Sequence, residues 1–143
     1  MAKLLIIDDD RAYREYLERV LSQAGHEVVC LSNGLGLRTA VGKQPFDAVL
    51  TALYMPECDG LETIATLRGL TPAIPVIGMA ANAGGAEDPC SHAMRLLGAV
   101  AVIDKPIDRD ALLALLDGVL ADGAAVRTGS RRRLPEPVPL RVA

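Results

Sequence analysis

Five short apolar runs, "LLII" (4–7), "VVCL" (28–31), "AVLTAL" (48–53), "PVIGM" (75–79) and "VAVI" (100–103), recur along the chain without alternating with polar residues. A strand with one wet face alternates. A run that does not alternate suits a strand covered on both faces, as in a parallel sheet. Between the runs lie segments with helical spacing. In the first, Tyr13, Leu17, Val20, Leu21 and Ala24 form one apolar stripe, Asp10 stands where a helix cap belongs, and Gly25 follows as a stop. Residues 60–68, 87–97 and 108–122 read as helices too. Segment 34–43 is the weakest, because Gly34, Gly36 and Gly42 each cost about 1 kcal/mol relative to alanine in a helix. Five strands alternating with five helices require right-handed crossovers, hence an α/β domain whose sheet is covered by helices on both faces. In such a domain the chemistry gathers at the carboxyl ends of the strands.

Composition agrees. Of 143 residues half are hydrophobic and 3% aromatic, so one core built from Leu, Val, Ile and Ala is expected. No apolar run reaches the roughly 18 residues of a membrane span, and no secretory leader is visible, so a cytoplasmic protein is expected. Cys30, Cys58 and Cys90 are widely spaced and odd in number, which favours reduced thiols over disulfides or a zinc site. His26 and His92 have no ligand-spaced partners and read as structural or surface residues. Residues 1–126 carry a charge of −7, whereas 127–143 carry +4. The helical pattern dissolves after Ala121, so 123–143, with its "RRR" and "PEPVP", reads as a mobile basic tail with no output domain behind it. An acidic body nearly without aromatics argues against nucleic-acid binding.

The strand ends hold the informative residues. Asp8, Asp9 and Asp10 follow the first run; clustered carboxylates repel one another unless a cation sits among them, although a cap plus solvated acids is an equal reading. "ALYMPECDG" ends the third strand and "GMAAN" the fourth. The fifth ends in "IDKP", placing Lys105 at the same edge as the acids. "ANAGGAEDPC" (81–90) is Gly-rich but lacks phosphate-loop spacing, which argues against nucleotide binding.

With "LLIIDDD", "FDAVLTALYMPECDGLE", "IPVIGMAA" and "GAVAVIDKPID" in this order, residues 3–121 resemble the receiver domain of bacterial two-component response regulators, of the single-domain chemotaxis type. The resemblance implies a flavodoxin-like (βα)5 fold with strand order 2-1-3-4-5 over residues 1–122. It implies that Asp8 and Asp9, with the backbone carbonyl of Tyr54, hold Mg2+, that Lys105 contacts the phosphoryl group, and that Pro106 follows a cis peptide. It also implies a switch module rather than an enzyme.

The chain departs from that family where it matters most. Ala52 occupies the position of the phosphoacceptor aspartate, and a methyl group has no lone pair to attack phosphorus. Thr51 is the nearest oxygen nucleophile, but neighbouring strand residues face opposite ways. Ala80 stands at the position of the switch Ser or Thr, and Val102 at that of the swinging aromatic. Two carboxylates instead of three should weaken Mg2+ at least tenfold, roughly 1.4 kcal/mol.

The expected protein is therefore a receiver in a phosphorelay that cannot take up phosphate, whether through replacement of an original aspartate or through natural degeneration. By resemblance its partners are a sensor histidine kinase or histidine phosphotransfer protein at the pocket, and a downstream protein on the face of helix 4, strand 5 and helix 5, the chain being a monomer or weak dimer. The alternative is a phosphorylation-independent adaptor. A hydrolase using Asp8 to Asp10 lacks a base or nucleophile across the pocket.

Overall fold

The computed structural model describes residues 2–52, 60–70, 74–80 and 89–127. Strands β1 (Lys3–Ile7), β2 (Glu27–Leu31), β3 (Ala48–Ala52), β4 (Val76–Ala80) and β5 (Ala101–Asp104) alternate with helices α1 (Arg11–Gln23), α2 (Leu37–Lys43), α3 (Gly60–Leu70), α4 (Pro89–Leu96) and α5 (Arg109–Arg127). The strands form one parallel sheet in the order 2-1-3-4-5, the flavodoxin-like arrangement.

The three central strands behave as non-alternating runs should. Leu4 to Ile7, all of β3 and all of β4 are buried although their side chains leave the sheet on both sides. Each fully buried Leu or Ile contributes about 1.5–3 kcal/mol relative to exposure. The outer strands β2 and β5 are only partly buried, because each has a neighbour on one side alone. Leu17, Val20 and Leu21 carry the stripe of α1 into this core.

Local chemistry fixes the boundaries. Asp10 caps α1, its side chain accepting from the Tyr13 amide, and Gly25 turns the chain at φ +98°, a conformation glycine takes at no steric cost. Ala24 is the exposed C-cap of α1 and not part of its buried stripe. The glycine-rich segment 34–43 forms a single 3-10 turn, Gly34–Gly36, and then the short α2, whose one buried residue is Leu37.

Helix α5 differs from the sequence reading. It continues to Arg127, five residues beyond the boundary expected at 122. One glycine costs only about 1 kcal/mol, and the Ala124–Ala125 pair after Gly123 favours propagation. Residues 128–143 of the expected tail lie outside the described residues. Among the described residues no helix is long and apolar enough to cross a membrane.

Candidate functional site

The sheet register brings the selected residues to one edge. Ile7 pairs with Thr51, so the next rung sets Asp8 level with Ala52, and the Asp8 amide continues the ladder by donating to the Leu31 carbonyl at 3.1 Å. On the other side Ala52 pairs with Met79 and Ala80 with Asp104, and the Lys105 amide donates to the Ala80 carbonyl at 2.8 Å. Asp8, Ala52, Ala80 and Lys105 thus meet at the carboxyl edge, although 97 residues separate the first from the last.

Asp8 is wholly buried, and both carboxylate oxygens are engaged. Oδ2 receives Lys105 Nζ at 2.7 Å; Oδ1 accepts the Asp10 amide at 2.9 Å. The Asp8 carbonyl accepts Arg14 Nη1 at 2.8 Å. Burial of a carboxylate is tolerable only when it is hydrogen-bonded and its charge is matched, and here each oxygen accepts a bond and the lysine matches the charge. Lys105 itself is 18% exposed and lies 4.5 Å from the centroid of the Tyr13 ring, where the π face favours a cation.

Two tyrosines hold the segment that carries the lysine. Tyr13 OH accepts the Ile107 amide at 2.6 Å, and Tyr16 OH donates to the Ile107 carbonyl at 3.1 Å. Their rings meet edge to face at 5.7 Å. The Lys105–Pro106 peptide between β5 and this anchor is cis, as expected. Tyr13, Tyr16 and Arg14 carried no functional role in the sequence reading. Their signal was available in the i, i+3 spacing of two of the chain's three tyrosines on the helix that follows the acids.

The expected nucleophile position is a buried methyl. Ala52 is 3% exposed and Ala80 2%. Thr51 is fully buried and its hydroxyl donates to the Ala52 carbonyl at 3.1 Å, so it has no path to an incoming phosphoryl group. Val102, paired with Gly78, is half-buried in β5. Asp9 is exposed; Asp10 is taken up by its capping role. Tyr54 and Cys58 lie outside the described residues. His26 is structural, its Nδ1 accepting the Ala2 amide at 3.1 Å, and His92 is on the surface.

As arranged, the described part of the donor set, Asp8 and Asp9 beside Ala52, does not fit a divalent cation. Among the described residues no group of three or more His, Cys, Asp or Glu could hold a metal ion. The buried carboxylate that should be the first ligand is already paired with an ammonium, and the side chain level with it, Ala52, offers no oxygen.

Comparison with known proteins leads to the same fold. The response regulator receiver domain family matches residues 4–117. The chain is 34% identical to the response regulator protein FleR of Pseudomonas aeruginosa, over 94% of this chain and 30% of FleR. It is 34% identical to the transcriptional regulatory protein ZraR of Escherichia coli, over 82% of this chain and 26% of ZraR. The chain therefore spans less than a third of the length of these relatives. A response regulator receiver domain protein from Clostridium thermocellum superimposes with a TM-score of 0.77 at 26% identity, covering 88% of this chain and 99% of that one.

Proposed function

Because the chain belongs to the response regulator receiver domain family, we propose that it works in a two-component phosphorelay as a receiver that signals through protein contacts and carries no acyl phosphate of its own. Receiver domains are signalling modules that interact with histidine kinases or histidine phosphotransfer proteins and generally bind Mg2+ at the phosphorylation site. The observation that carries the proposal is Ala52, a buried methyl level with Asp8 at the edge where the lysine arrives. Without an oxygen there, phosphoryl transfer to the protein has no acceptor. Lys105 and Ala80 keep the geometry of the lost site without its chemistry, and Asp8, Asp9 and Tyr54 hold Mg2+ weakly at best.

The docking residues for a cytoplasmic kinase or phosphotransfer protein lie around this edge. The downstream partner meets the face of α4, β5 and α5. Support for that face comes from Leu96, Leu97 and Val100, exposed by 57%, 38% and 55%, since apolar groups left in water at one place mark a contact surface. The chain is a monomer or weak dimer in this reading.

A second reading, a phosphorylation-independent adaptor, draws on Ala80 and Val102. Both residues through which a receiver would answer phosphate lack the hydroxyl or ring required, so restoring an aspartate would restore uptake without restoring the response. Incubation with a phosphorylated histidine phosphotransfer domain separates the readings. The native chain should leave that donor phosphorylated. If Ala52→Asp drains the donor and then changes its affinity for the partner, the chain is a disabled switch; if it drains the donor with no change in partner affinity, it is an adaptor. Draining by the native chain would overturn both.

A further inference from the structure

We propose that Lys105 is the resident cation of this pocket, occupying the place at Asp8 that a divalent metal would need, and that Tyr13 and Tyr16 hold it there. The inference rests on the reading of the pocket as a receiver site and goes further by assigning the cause of metal loss: a competing internal ammonium, over and above the missing carboxylate.

The geometry carries it. A fully buried carboxylate demands a counter-charge, and Lys105 Nζ supplies one at 2.7 Å on Oδ2 while Oδ1 accepts the Asp10 amide. A metal approaching Oδ2 must therefore displace an ammonium already in hydrogen-bonding contact, and one approaching Oδ1 meets its positive charge close by. In a pocket with an aspartate at position 52, that ammonium would have a second carboxylate to turn to. Here, among the described residues, the carboxylate it pairs with is Asp8. Its position is also fixed from behind. The π face of Tyr13 lies 4.5 Å away, and both tyrosine hydroxyls grip Ile107, two residues beyond the lysine. Moving Lys105 off Asp8 means losing the cation–π contact or pulling against two hydrogen bonds to the backbone.

Mg2+ binding tests the inference without any phosphodonor. The native chain, Lys105→Met, Tyr13→Leu and Ala52→Asp are titrated by calorimetry, and thermal unfolding is followed with and without millimolar MgCl2. The native chain should show no heat of binding and no shift in its unfolding midpoint. Lys105→Met should bind Mg2+ at least about tenfold more tightly than the native chain, and Tyr13→Leu, which keeps both charges, should fall between them. Tyr13→Leu also keeps the question answerable if Lys105→Met does not fold. Should the native chain bind Mg2+ as tightly as both variants, the lysine is no competitor and the inference is overturned. Should Ala52→Asp fail to bind as well, the edge is not a receiver metal pocket, and the underlying reading fails instead.

Discussion

Lys105 Nζ lies 2.7 Å from Asp8 Oδ2, and the carboxylate it meets is closed to solvent. The pair joins the end of the first strand to the end of the fifth, and so ties the two ends of the chain's fold across the edge where Ala52 sits.

Removing one member of this pair should cost more than removing both. Lys105→Met leaves an uncompensated buried charge and is expected to lower stability by about 3 kcal/mol. Asp8→Asn combined with Lys105→Met should recover at least about 1 kcal/mol of that loss. Urea unfolding of the two single variants and the double variant gives the coupling directly. Additive losses would show that the contact contributes nothing to the folded state.

The tyrosine grip predicts a local effect. Tyr13→Phe removes the acceptor of the Ile107 amide at a residue that is 7% exposed, and should cost about 1–2 kcal/mol. Hydrogen exchange at the Ile107 amide should quicken in that variant. It should quicken less in Tyr16→Phe, where the lost bond is to the carbonyl. Equal protection in the native chain and Tyr13→Phe would remove the hydroxyl from the account of how Lys105 is held.

Two glycines with positive φ differ in their surroundings. At Gly25 (φ +98°) an added Cβ would meet nothing within 4 Å, so Gly25→Ala should cost about 1 kcal/mol, from the backbone alone. At Gly98 (φ +117°) the same atom would lie 2.8 Å from Arg68 Cδ, on a side chain whose guanidinium bonds the Ile74 carbonyl. Gly98→Ala should therefore cost at least about 2 kcal/mol. Unfolding midpoints in the reverse order would contradict the packing of α3 against the α4–β5 turn.

Cys30 should be a slow nucleophile. Burial pushes its thiol pKa up, Glu18 adds to the rise, and Arg14 opposes it more weakly. The thiolate is the reactive form, so alkylation at Cys30 should still be accelerating above about pH 8.5, where an ordinary thiol is half ionised. Glu18→Gln should speed the reaction at fixed pH. Peptide mass mapping separates Cys30 from Cys58 and Cys90. A rate at Cys30 that levels off below that pH would contradict the direction of the shift.

The fold was legible because its signals are local. The apolar runs around Leu5, Leu50 and Ile77 do not alternate, and Gly25 and Asp10 punctuate the first helix as their chemistry requires. The convergence of Asp8, Ala52 and Lys105 was legible too, since parallel strands deliver their ends to one edge. The ion pair of Lys105 was not. Sequence assigned the lysine a phosphoryl contact, and its contact with Asp8 is seen only in the folded chain. The tyrosine contacts with Ile107 span 94 and 91 residues, a separation at which no periodicity or spacing operates. Helix α5 outran its expected end because one glycine is a weak barrier beside two alanines.

The intact mass of the native chain and of Ala52→Asp, after exposure to a small-molecule phosphodonor with Mg2+, bears most directly on whether this edge is a receiver site without its acceptor. The native chain should keep its mass, and Ala52→Asp should gain one acid-stable, base-labile phosphoryl group. A phosphoryl group on the native chain, or none on Ala52→Asp under conditions where it binds Mg2+, would contradict that assignment.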